Sequence, residues 1–78
     1  MMEPADSSEY TLILQGEHIM LAQAVKAAGL ASSGGQAKHL VCEGGVTVNG
    51  LPETQPGRKL FANDRFALAG GTEWTISR

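Results

Sequence analysis

The chain has one cysteine, Cys42, so no internal disulfide can form, and a lone thiol fits a reducing compartment. Aromatic residues are scarce, only Tyr10, Phe61, Phe66 and Trp74. The interior must therefore be built from Ala, Leu and Val, with elements that approach closely. No apolar run nears the ~20 residues that a membrane-spanning helix needs. Residues 1–8 lack the basic-then-apolar order of a signal peptide, and a cytoplasmic location off the membrane is expected. Also missing are a Walker-type phosphate loop and carboxylates paired on one helix face. His39 and Cys42 stand one helical turn apart, but a cysteine nucleophile also needs a base held by an orienting partner. Two ligands likewise fall short of a zinc site, which takes four. These absences predict a protein that is not an enzyme, with no cofactor, no metal and no small-molecule substrate.

The chain holds 78 residues, enough for one small domain, and a domain of that size buries only ~60–65% of its unfolded surface. Its formal charge of −2 is unevenly spread. Residues 1–17 carry Glu3, Asp6, Glu9 and Glu17 with no base. Residues 18–78 carry Lys26, Lys38, Arg58, Lys59, Arg65 and Arg78 against Glu43, Glu53, Asp64 and Glu73. An acidic tail over 1–9 thus precedes a mildly basic single domain over 10–78, and position matters more than the sum.

Residues 10–14 are β-branched, aromatic and apolar, which reads as a short strand ended by Gly16. Residues 18–28 space Leu21, Ala24, Val25 and Ala28 on one helical face; Gly29 follows where a left-handed C-terminal cap belongs. Ser33 and Gln36 have capping-box spacing and open a second helix that buries Ala37, Leu40 and Val41. Lys38, His39 and Cys42 point the other way. Gly34 and Gly35 leave the helix's first N–H groups uncovered by side chains, a setting that suits phosphate. Val46-Thr47-Val48-Asn49-Gly50-Leu51 is a hairpin signal, because Asn-Gly supplies the two positive φ angles of a type I′ turn. Pro52 confines the return strand to an edge. Turns follow at 55–57, 62–64 and 70–71, with alternating strands at 65–68 and 73–76. Trp74 alternates with Thr75 and shares a face with Ile76, which reads as core.

The run Ala28-Gly29-Leu30 … Ser33-Gly34-Gly35-Gln36-Ala37-Lys38 … Glu43-Gly44 … Val46-Thr47-Val48-Asn49-Gly50 … Glu53-Thr54 … Gly57-Arg58-Lys59-Leu60 … Asp64 resembles the stand-alone bacterial proteins of the ribosomal-protein-S-four type, which carry the alpha-L RNA-binding motif. The likeness spans about Glu17 to Leu68. It implies an α+β fold of two short helices on a small, twisted, mostly antiparallel sheet. It also implies a monomeric partner of structured RNA, ribosomal or precursor, met through phosphate and shape contacts. Carried over by position, the RNA-binding candidates are Lys26, Gly35, Gln36, Lys38, His39, Arg58 and Lys59. Ser33 and Asn49 match as well and are read as cap and turn. Gln55 and Pro56 stand where relatives tend to carry more bases, and Asn63 where they carry glycine. The rival expectation is a protein-interaction module that kept the fold and lost most RNA affinity. A third is duplex DNA, read by a steeply crossed helix pair.

Overall fold

The structure is a computed structural model and describes residues 10–78; the expected tail over 1–9 lies outside the described residues. In chain order the elements are β1 (Thr11–Ile13), β2 (Ile19–Met20), α1 (Leu21–Ala27), α2 (Gly34–Cys42), β3 (Val46–Val48), β4 (Leu51–Glu53), β5 (Lys59–Leu60), β6 (Arg65–Leu68) and β7 (Trp74–Ser77).

The second helix forms where its cap predicts. Ser33 is extended (φ −151°, ψ 164°), and its Oγ accepts the Gln36 N–H at 3.1 Å. The return half of the box differs from expectation by one residue. Gln36 Oε1 accepts from the Ser32 N–H and the Ser32 hydroxyl, both at 2.7 Å, instead of from Ser33. Ala37 and Val41 are fully buried and Leu40 half-buried, while Lys38, His39 and Cys42 are exposed.

The first helix is shorter than its apolar spacing predicts. Its expected opening, Ile19–Met20, instead pairs antiparallel with β5, Ile19 opposite Leu60 and Met20 opposite Lys59. No Ser, Asp or Asn stands at the front to accept the first N–H groups, and backbone carbonyls do so instead. Arg58 O accepts from Leu21 N–H at 2.8 Å and Pro56 O from Ala22 N–H at 3.0 Å. The turn at 55–58 thereby caps α1, the task a side chain performs in most helices.

Both helices close on left-handed glycines, Gly29 and Gly44, each at φ +79°. In each, the glycine N–H bonds back to the second-last helical turn position (Lys26 O, Val41 O, both 2.9 Å). The next N–H reaches one residue deeper (Val25 O, Leu40 O, both 3.0 Å). This paired pattern satisfies the last carbonyls, and glycine is needed because a Cβ is strained at that φ.

The main sheet runs β1-β7-β6-β3-β4 and is antiparallel except for the parallel β1–β7 pair. The Asn-Gly turn has both φ angles positive, +52° at Asn49 and +87° at Gly50. Asn49 does more than turn the chain. Its Oδ1 accepts the Arg65 N–H at 2.9 Å and its Nδ2 donates to Asp64 Oδ1 at 3.3 Å. Pro52 lies on the edge strand β4, as its missing N–H requires.

The core joins Leu21, Ala24 and Val25 of α1 to Ala37 and Val41 of α2. Against them pack Val46, Val48, Leu60, Phe66 and Ile76. No polar or charged side chain is buried among the described residues. Trp74 is half-buried, edge-on to Tyr10 with centroids 5.7 Å apart and stacked with Phe66 at 6.5 Å. It serves the core.

Candidate nucleic-acid interface

A groove of about 680 Å³ lies between the two helices and the turn that caps α1. Met20, Ala22, Gln23 and Lys26 line it from the β2–α1 segment, Gly34 and Lys38 from α2, and Pro56 and Gly57 from the turn. Lys38 stands one helical turn after Gly34, so cation and open helix start share one wall. Lys26 comes from the other helix, whose outer face looks into the same space. Neither lysine makes an ion pair or hydrogen bond to a described residue.

The N-terminus of α2 is bare. Gln36 N–H goes to Ser33 Oγ and Ala37 N–H to Ser33 O, while Gly34 and Gly35 N–H find no acceptor among the described residues. A Cβ added at either glycine would meet nothing within 4 Å. Neither glycine has a positive φ, so neither packing nor backbone strain demands one there. Two glycines at a helix start cost stability; what they leave is unobstructed backbone.

The remaining candidates divide. Gln36 is a brace: its carbonyl holds Ser32, although its side-chain nitrogen has no acceptor among the described residues. His39 lies one turn beyond Gly35, and its Nε2 sits 3.1 Å from Glu43 Oε2, both groups well exposed. Its neighbour is therefore the carboxylate at the C-cap of its own helix, and neither residue lines the groove. Lys59 is exposed, without a partner among the described residues, and stands opposite Met20 at the groove's margin.

Arg58 follows the groove-lining Gly57, but its charge is already engaged. Its Nη1 donates to Glu53 Oε1 at 2.7 Å. Glu53 Oε2 accepts the N–H groups of Thr54 and Gln55, both at 3.1 Å. The Arg58 hydrogen bond first, then the Gln55 N–H, hold the Glu53 carboxyl below its ordinary pKa. Sequence reasoning passed over this pair; its signal is a Glu and an Arg flanking the Pro56-Gly57 turn at a spacing the turn folds back on itself. Met20 and Gln23 line the groove without having been candidates, since apolar and amide residues carry no charge signature. Among the described residues no three of His, Cys, Asp and Glu gather to hold a metal ion. Cys42 is exposed and free. No helix is long and apolar enough to cross a membrane.

Two short helices on a mixed, mostly antiparallel sheet, with an open helix start facing a groove between them, make an alpha-L type domain. The model of the S4 domain matches residues 12–76, and the chain belongs to that family. It is similar over 100% of its length to the solution structure of YbcJ from E. coli, at 30% identity and a TM-score of 0.70, covering 99% of that chain. That structure is described as revealing an alpha-L motif involved in RNA binding. The chain is also 41% identical over 54 residues to the probable ribosome maturation protein RlbA of Bacillus subtilis (strain 168). That match covers 69% of this chain and 76% of the relative.

Proposed function

We propose that this protein binds structured RNA, ribosomal or precursor, in the cytoplasm and without catalysing a reaction. The observation that carries this reading is the pair Lys26 and Lys38, free of partners among the described residues and lining one groove with the bare start of α2. Phosphates entering the groove meet two ammonium groups and the N–H groups of Gly34 and Gly35, and a helix N-terminus favours an anion there. Such contacts fix position and leave base edges unread, so the groove suits an RNA recognised by shape. The likeness to YbcJ and RlbA supports both the ligand class and the setting. Gly35 joins this contact through its N–H beside the groove-lining Gly34, Gln36 through its hold on Ser32, and Lys59 from the margin. Arg58 and His39 contribute only when their carboxylate partners release them.

The test is a mobility-shift titration with ribosomal RNA fragments at low and moderate salt. Wild-type protein is expected to bind at low salt and weaken steeply as salt rises, and Lys38→Glu to abolish the shift. Binding that ignores salt and Lys38→Glu would instead favour the protein-interaction module, and a preference for duplex DNA over the RNA would favour the third reading.

A further inference from the structure

The two-stranded ribbon beside the groove carries a feature that phosphate docking leaves unused. Partnered residues of an antiparallel pair project to the same side, and successive residues alternate. Ile19 and Leu60 therefore face inward, with Leu60 fully buried. Met20 and Lys59 face outward, and the same alternation carries His18 and Phe61 outward one step further along. The rings of His18 and Phe61 meet at 5.9 Å and 50°, as that register requires. Phe61 is 50% exposed and Met20 40%.

A solitary apolar residue in solvent needs no account. Here the exposed ring stands in a row with an imidazole and with a lysine that no described carboxylate engages. The row ends on Met20, which lines the cation groove. The backbone that carries the ring is held by the turn that follows. Phe61 N–H donates to Asp64 Oδ2 at 2.8 Å and Phe61 O accepts the Asp64 N–H at 3.0 Å. Neither bond involves the side chain, so the turn would hold with any residue there, and burial does not explain an aromatic one.

We infer that Phe61 is a stacking platform for an unpaired base, with Lys59 holding that nucleotide's phosphate and His18 bracing the ring. The inference rests on the RNA reading above. It adds that the preferred RNA has a single-stranded nucleotide flanking the structured part that enters the groove. Stacking on an aromatic ring beside a cation is tolerant of base identity, so the platform selects unpaired over paired and not one base over another.

The experiment compares two probes, a blunt RNA hairpin and the same hairpin with a four-nucleotide unpaired extension, by fluorescence anisotropy. Wild-type protein is expected to bind the extended probe about tenfold more tightly. Phe61→Ala loses that advantage and leaves blunt-hairpin affinity and its salt dependence unchanged; Phe61→Trp retains it. An extension of abasic nucleotides behaves as blunt. With 5-iodouridine in the extension, photocrosslinking marks Phe61. Equal affinity of Phe61→Ala and wild type for the extended probe overturns the platform while the groove stands, provided Lys26→Gln/Lys38→Gln still weakens the blunt hairpin. If wild type binds neither probe at low salt, the RNA reading itself fails and takes the platform with it.

Discussion

The charge arrangement makes a quantitative forecast about salt. Each phosphate neutralised by a protein cation adds about 0.7 to 0.9 to the magnitude of the log–log slope of affinity against salt. Counting every candidate cation, roughly four phosphates would give a slope near −3 on the single-strand scale. The structure removes one from the count, because Arg58 is bound to Glu53 at 2.7 Å. With Lys26, Lys38 and Lys59 acting, the expected slope is about −2 to −2.7, or roughly a 15- to 40-fold loss of affinity between about 50 and 200 mM salt. Lys26→Gln/Lys38→Gln should flatten the slope by about 1.4 to 1.8. Glu53→Gln should act the opposite way. A glutamine carbonyl still accepts the Thr54 and Gln55 N–H groups, so the turn holds while Arg58 is freed from its ion pair, and the slope should steepen by about 0.7 to 0.9. Anisotropy titrations at five salt concentrations on one RNA hairpin carrying the unpaired extension measure all three proteins. A double lysine variant with the wild-type slope would refute the groove as the phosphate site; an unchanged slope in Glu53→Gln would refute Arg58 as a masked contact.

Three further outcomes are expected. Leu21→Ala empties a fully buried core position and should cost about 2–5 kcal/mol in urea unfolding, a large share of the roughly 4–12 kcal/mol expected for a chain this size. Asn49→Ala removes the exposed bond to the Arg65 N–H and puts alanine at φ +52°; left-handed strain should destabilise the protein by about 1–2 kcal/mol with the RNA salt slope unchanged. Glu53 has a folded pKa below its unfolded value. Its stabilisation is therefore complete above the ordinary carboxylate range and lost as pH falls through the folded value. Urea midpoints should drop in acid, and Glu53→Gln should show a shallower acid limb; identical limbs would contradict this.

Local chemistry made much of the fold legible. The Asn-Gly turn, the Gly29 stop and the Ser33 cap each depend on a few adjacent residues, and each appears where those residues place it. The start of α1 was misjudged because its cap comes from Pro56 and Arg58, more than thirty residues downstream, and the residues around His18 hold no trace of it. The site divides in the same way. Lys26 and Lys38 are readable as outward cations from helical spacing alone. Whether they look into one space depends on how the helices dock, and whether Arg58 is free depends on Glu53 across a turn. Phe61 carries no charge to mark it, and strand alternation beside a fully buried Leu60 sends it outward.

The carbonyls of Pro56 and Arg58 bolt the turn to the first helix. Surface loops ordinarily accept inserted residues and chain breaks with little penalty. This one should not. A spacer placed at 55–57 would pull two acceptors from the helix start and widen the groove at once, whereas the same spacer at 70–72 touches neither. Splitting or tagging the protein at the second turn should yield a working molecule, and at the first a damaged one, although both look like ordinary bends in the chain.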